Sequence, residues 1–306
     1  MSSLSRILPF IYPLEPLLSD PTVTEVMVNA GGRRVFVERD GLLHVVPELV
    51  LNERHLRVAI KNIARTCGDD ISESQPILDA RLEDGSRVAA MFPPCAVDGP
   101  ILTIRKFTQR YSLEELIDAG MLTDSEGAQL CTAVKAGRNI LISGGTGTGK
   151  TTLLNALAAT IDEHERIVLI EETSEVWIDK PNLVRLETRR VQSPIGTEPT
   201  VPPVTIADLL RATLRHRPDR IIVGEVRGAE AWDLLQALNT GHLGSLSTIH
   251  ANSAEQALTR LTHLVLTASI GLPSSATRES VNDAVQVVAH VGRENGQRRL
   301  VQLLAR

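Results

Sequence analysis

The chain has 306 residues, 42% of them hydrophobic, enough for a sizeable core and more naturally for two domains than one. Its net charge of −5 gives no electrostatic reason to bind a polyanion, and 3% aromatic residues leave few rings for stacking bases, so direct sequence-specific nucleic-acid binding is not expected. Cys67, Cys95 and Cys131 are widely separated with no paired spacing, which suggests neither a zinc site nor a disulfide framework and fits a reducing cytoplasm.

The opening Met1-Ser2-Ser3-Leu4-Ser5-Arg6 leads into an apolar stretch interrupted by Pro9, Pro13 and Pro16. No later stretch approaches the length of a membrane span, so any membrane contact is expected to be peripheral. From Val23 to Leu42 the pattern alternates in short runs, and Asp40-Gly41 supplies the positive φ angles of a tight hairpin turn. Between Asn52 and Arg65, the residues Leu56, Ile60, Ile63 and Ala64 share one helical face, with Asn52 as the cap. Strand-like runs return at 77–82 and 87–92 around Asp84-Gly85, and Ile101-Leu102-Thr103-Ile104 ends in Arg105-Lys106. Residues 1–106 thus read as a small α+β domain, and 107–125, with a short capped helix at Ser112-Leu113-Glu114-Glu115-Leu116, as an interdomain linker.

Beyond it, in 126–306, the grammar changes. A helix near 126–136 precedes the apolar strand Asn139-Ile140-Leu141-Ile142-Ser143, a glycine loop, and a helix from Thr151 to Ala159. Continuous apolar strands at 167–170 and 220–223, with helices at about 205–216 and 228–240, imply a parallel sheet covered on both faces. Arg189 to Pro203 is rich in Pro, Gly, Ser and Thr and reads as a long loop. Val285–Val291 and Arg299–Leu304 flank Asn295-Gly296, a hairpin appended to the sheet.

The glycine loop matches G-x-x-x-x-G-K-[ST], whose glycines let consecutive backbone N–H groups point at phosphate oxygens where a side chain would block them. The expected nucleotide contacts are Gly144, Gly145, Thr146, Gly147, Thr148, Gly149, Lys150 and Thr151, with the adjoining Thr152. Lys150 would reach the β/γ phosphates and Thr151 would offer its hydroxyl to Mg²⁺, with the positive helix end adding to the attraction. Glu225, at the end of the strand Ile221-Ile222-Val223, is placed to orient and deprotonate water, or else to cap the next helix. Glu171 and Glu172 sit at the matching position of the neighbouring strand, as candidates for catalysis and, at Glu172, for Mg²⁺, or as a solvated acidic pair. Thr205 and Asp208 form a capping box, and Arg211 and Arg215 share a face of that helix, to neutralise phosphate or a facing subunit or simply to be solvated. His242 and His250 flank a polar-apolar strand and are candidates for sensing phosphate, with too few acidic or cysteine neighbours for a metal site.

In order, the loop, Ile170-Glu171-Glu172-Thr173, Arg217-Pro218-Asp219-Arg220-Ile221-Ile222-Val223-Gly224-Glu225-Val226-Arg227 and Thr240-Gly241-His242 through Thr248-Ile249-His250-Ala251-Asn252-Ser253 resemble the motifs of secretion ATPases. Asp20-Pro21-Thr22-Val23-Thr24-Glu25-Val26-Met27-Val28-Asn29, with Gly85-Ser86-Arg87 and Thr103-Ile104-Arg105-Lys106, resembles the type IV secretion branch and TrbB-like conjugal transfer ATPases. The resemblance implies a RecA-like P-loop ATPase domain behind a smaller PAS-like N-terminal domain. It also implies ATP and Mg²⁺ as ligands and a homo-hexameric ring in the cytoplasm, at the mouth of an inner-membrane secretion channel. By motif position, the resemblance implies that Arg87 and Arg105 approach the nucleotide; on their own they read as ordinary strand-edge arginines. The four-cysteine zinc element of many type II secretion and pilus-assembly ATPases is missing here, though pilus-retraction ATPases lack it too. Competing functional readings are a pilus or type II secretion ATPase, a P-loop small-molecule kinase with an acceptor pocket, and a scaffold that binds ATP without turnover.

Overall fold

The computed structural model describes residues 11–39, 41–82, 85–106, 111–189, 201–268 and 271–306. Asp40 and Asp84 of the two expected turns, the opening Met1–Arg6, positions 107–110 of the expected linker and positions 190–200 of the expected loop lie outside the described residues. The chain divides into two compact units, residues 1–109 and 110–306.

The first unit opens with a short helix, α1 (Glu15–Ser19), and continues through β1 (Val23–Asn29), β2 (Arg34–Arg39) and β3 (Leu42–Val45). A longer helix, α2 (Glu53–Thr66), precedes β4 (Ile77–Arg81), β5 (Arg87–Met91) and β6 (Ile101–Arg105). The strands form one antiparallel sheet in the order β3-β2-β1-β6-β5-β4. Alternation decides which face is covered: Val26 and Val28 of β1, Val35 and Val37 of β2, and Leu102 and Ile104 of β6 are all fully buried. The Asn52 carboxamide accepts from the Arg54 and His55 N–H groups at 2.9 and 3.3 Å, capping α2 as the sequence predicts. Leu56, Ile60 and Ile63 then pack into the same core as the strand residues, each worth about 1.5–3 kcal/mol of burial.

The second unit begins earlier than the change of grammar in the sequence. Within the expected linker, Ser112 and Glu115 form a reciprocal capping box for α3 (Leu113–Asp118), and Thr123 and Glu126 do the same for α4 (Asp124–Lys135). Leu113, Leu116, Met121 and Leu122 are buried in the core of this unit, so the described part of that segment is packed structure. There follow β7 (Ile140–Gly144), α5 (Lys150–Ala159), β8 (Ile167–Glu171), β9 (Leu183–Glu187), α6 (Ile206–Thr213), β10 (Arg220–Val226), α7 (Glu230–Asn239) and β11 (Leu246–Ile249). Two helices, α8 (Ala254–Thr267) and α9 (Ser274–Ala284), lead to the hairpin β12 (Val287–Glu294) and β13 (Gln297–Ala305).

These strands form a sheet in the order β13-β12-β7-β11-β10-β8-β9, parallel except for β13. Both faces are covered, as the apolar runs require. Ile140 and Ile142 of β7 face a core shared with α3, α4 and α5, while Leu141 faces one shared with α6 to α9. The base of the loop expected at 189–203 is tied by a pair of backbone hydrogen bonds between Arg189 and Val204, at 3.0 and 3.1 Å. No described helix is long and apolar enough to cross a membrane.

Candidate functional site

The glycine loop leaves β7 at the C-terminal edge of the sheet and enters α5. A Cβ on Gly144 would lie 2.3 Å from the Val291 carbonyl of β12, so only glycine lets the loop leave the sheet here. Gly149 caps α5 in the left-handed region, φ 96°, and no side chain caps the helix, which leaves its first N–H groups directed into the loop. The Thr148 hydroxyl donates to the Gly145 carbonyl at 3.0 Å and holds the loop closed on itself. Thr151 and Thr152 are half-buried in the first turn of α5, and Thr146 is exposed.

Lys150 is buried, and its Nζ donates to the carbonyls of Gly144 at 3.1 Å and Gly145 at 2.8 Å. Burial pushes its pKa below the usual lysine value, an effect opposed by Glu225 and reinforced by Arg227. The same Nζ lies 3.4 Å from His250 Nδ1, and His250 Nε2 lies 2.9 Å from Glu225 Oε1. Glu225 sits inside β10, where the register with β11 shifts between Val223 and Val226, so the strand carries it past Val223 to the sheet edge. Arg227 joins the two acidic strand ends, donating to Glu225 Oε2 at 2.7 Å and to Glu172 Oε2 at 3.1 Å. Lys150, His250, Glu225, Arg227 and Glu172 therefore form one continuous polar chain across the ends of β7, β11, β10 and β8. His250 is pushed below its ordinary value, chiefly by partial burial and next by Lys150, with Glu225 acting the other way.

The other sequence candidates separate. Glu171 is buried, with Oε1 accepting from the N–H groups of Glu175 at 2.7 Å and Val176 at 2.8 Å; burial raises its pKa, against those hydrogen bonds. It secures the turn after β8, whereas its neighbour Glu172 reaches the polar chain. His242 lies before β11 and His250 after it, so four strand residues, roughly 13 Å, separate them. The structure does not bring His242 to the phosphate-loop edge: it ends α7, with its Nδ1 3.3 Å from the Ala237 carbonyl. Two histidines near each other in sequence land on opposite edges of the sheet because a strand runs between them. Arg211 pairs with Asp208 at 2.6 Å and Asp233 at 3.2 Å on the surface, and Arg215 is exposed. In the first unit, Arg87 and Arg105 are cross-strand partners on β5 and β6; Arg87 lies 3.9 Å from Asp79, and Arg105 lies 3.2 Å from Glu25.

Sequence reasoning missed two features. Arg220 is buried at the start of β10, holds both Glu165 oxygens through Nε and Nη2 and donates from Nη1 to the Gly244 carbonyl at 3.3 Å, which anchors the turn into β11. The tip of the β12–β13 hairpin comes back over the loop, where Arg293 Nη2 donates to the Gly147 carbonyl at 3.4 Å. The Asn295-Gly296 turn signals the hairpin but not its proximity to a loop 146 residues away in the chain.

A glycine loop between a parallel strand and a helix, with acids on the strands beyond, defines a P-loop protein of RecA-like fold. The chain belongs to the Type II/IV secretion system protein family, whose profile matches residues 11–298. The conjugal transfer protein TrbB of Rhizobium radiobacter is 36% identical over 293 residues, 94% of this chain and 84% of that protein. The type IV secretion system protein PtlH of Bordetella pertussis is 37% identical over 319 residues, 95% and 92% of the two chains. Among solved structures, the VirB11 ATPase from the Brucella suis type IV secretion system, in complex with sulphate, is 32% identical with a TM-score of 0.52, covering 99% of this chain and 95% of that one. The pilus retraction motor PilT with bound ADP, 20% identical with a TM-score of 0.62 and covering 98% of this chain and 82% of that one, shares the fold.

Proposed function

We propose that this chain hydrolyses ATP to ADP and phosphate, with Mg²⁺, and works as a homo-hexameric ring on the cytoplasmic side of a type IV secretion or conjugal transfer channel in the inner membrane. The observation that carries the hydrolytic reading is the contact chain from Lys150 in the phosphate loop through His250 to Glu225. It joins the phosphate-binding charge to a carboxylate two strands away, at the sheet edge where open α/β folds bind ligands. The type IV secretion and conjugal transfer relatives support the channel assignment.

The loop fits a polyphosphate: Gly144 and Gly149 keep it clear of side chains, and Lys150 sits inside it. No group of three or more His, Cys, Asp or Glu among the described residues can hold a metal, so a dication would share phosphate oxygens with Thr151 and with Glu172. Bound there, Mg²⁺ would offset charge on the β and γ phosphates. Lys150 exchanges its carbonyl partners for phosphate oxygen and neutralises charge as the γ-phosphoryl departs. Glu225 accepts the proton of the attacking water, since it is the half-buried acid that touches both His250 and Arg227. Neutral His250 donates its Nε2–H to Glu225 and turns its Nδ1 to the Lys150 ammonium, so a change at the loop on loss of the γ-phosphate reaches Glu225 through it. Glu171 keeps the turn after β8 in place and takes no proton.

Size-exclusion chromatography with light scattering, with and without Mg-ATP, and phosphate release measured on the same fractions, tests both halves. A hexamer-sized species that releases phosphate with no added acceptor is the expected result. A monomer that turns over only with a small-molecule acceptor would replace the motor with a kinase.

A further inference from the structure

The phosphate loop has two flanks. On one side of β7 lie β11 and β10, which bring His250 and Glu225 to Lys150; on the other lie β12 and β13. The hydrolytic groups all come from the first flank, so the γ-phosphate end of a bound nucleotide points that way. The nucleoside end must then leave the loop toward the second flank, where the hairpin tip stands.

That tip is built with two arginines. Arg293 and Arg298 are directly opposite each other across the β12–β13 ladder, which brings two guanidinium groups together at the tip. Arg293 reaches the Gly147 carbonyl, and the Arg298 stem passes 3.6 Å from the position a Cβ would take on Gly149. Arg298 is half-buried and Arg293 is exposed. Met121 packs beside the same glycine, and its carbonyl accepts from the Leu300 N–H at 2.8 Å, which fixes the hairpin to the segment before α4. A guanidinium presents a donor fork to a phosphate and a flat face to a base.

We propose that Arg293 and Arg298 form the nucleoside-side half of the site, holding the α-phosphate and the base beyond it, while the loop holds the β and γ phosphates. This rests on the nucleotide-binding reading above and assigns the hairpin a part in it. Specificity for a nucleotide over bare polyphosphate then comes from the C-terminal hairpin.

The test is titration calorimetry with ADP and with pyrophosphate, which offers the loop two phosphates and no nucleoside, on wild type, Arg298→Ala, Arg293→Gln and Lys150→Ala. Each hairpin variant is expected to weaken ADP about tenfold, the loss of one charge-assisted contact, and pyrophosphate less than about twofold. Lys150→Ala is expected to weaken both ligands. Equal losses for the two ligands in the hairpin variants, or an unchanged ADP affinity, would overturn the assignment while leaving the loop's role standing. Failure of the wild type to bind either ligand would overturn the nucleotide-binding reading and this assignment with it. Arg293→Gln, at an exposed position, carries the test if shortening Arg298 lowers the melting temperature.

Discussion

Lys150 spends its charge on two carbonyls of its own loop, and this local pairing keeps a buried ammonium tolerable until a phosphate replaces them. Lys150→Ala should therefore leave the fold intact and lower phosphate release by about 100-fold or more, the usual cost of removing a group aimed at transition-state charge. Glu225→Gln keeps the shape of the carboxylate but cannot take a proton. Nucleotide affinity should persist in that variant while turnover falls by a similar factor of about 100, as measured by a phosphate-release assay beside a fluorescent-nucleotide titration. His250 carries a pH signature whose sign follows from its environment. Its folded-state pKa lies below its ordinary 6.5, so the unfolded chain binds the proton more readily. Stability is full above that value and falls as the pH drops through the window beneath it, where His250 would place a second cation against Lys150. His250→Gln should flatten the fall in melting temperature between about pH 6.5 and pH 5 relative to wild type; an unchanged slope would assign the effect to His290, which burial shifts the same way. At this scale the sequence was informative wherever spacing encodes geometry, as in the loop. It named both Glu171 and Glu172 as candidates and gave Glu172 to Mg²⁺, but only the fold says that Glu171 ends β8 bound to the next turn while Glu172, one residue further, reaches Arg227.

The elements were legible where capping and periodicity agree: Asn52 opens α2, Thr205 opens α6, and Asn295-Gly296 turns the last hairpin. Ser253 opens α8 with an oxygen that accepts from the Gln256 N–H at 3.1 Å, a helix that the sequence reading did not place. β9 was not legible either, since it is a short, half-exposed edge strand that pairs with β8 on one side and carries no strong alternation of its own. The junctions between elements are the sensitive points. Gly144→Ala would drive a Cβ against the Val291 backbone, and about 2–3 kcal/mol of destabilisation is expected from chemical denaturation, together with loss of phosphate affinity. Gly244 has φ +77°, and a Cβ there would fall 1.6 Å from Arg220 Nη1. Gly244→Ala should displace the buried Arg220 from its half-buried partner Glu165, at a cost of about 3 kcal/mol or more by the same measurement.

At the scale of the molecule, the first unit encloses one buried cluster against its sheet and the second encloses two, one on each face of its own sheet. Calorimetry with ADP is therefore expected to raise the transition that belongs to residues 110–306, by the equivalent of about 2.7 kcal/mol at a hundred times the dissociation constant. A uniform shift of a single transition would mean instead that the two units unfold as one. The division was visible in the sequence as a change from alternating to continuous apolar strands, because one sheet face needs cover in the first unit and two in the second. What the sequence did not show was strand order, and with it the return of the C-terminal hairpin to a loop met halfway along the chain. One local pairing also closes the long connection from β9 to α6. Arg189 and Val204 bond to each other directly, which fixes the two ends of that connection as neighbours. A reporter peptide or a fluorophore-bearing insert placed between them is expected to leave those ends paired, and the melting temperature of the insertion variant checks it. The protein thus carries an engineering port on the unit that binds the nucleotide.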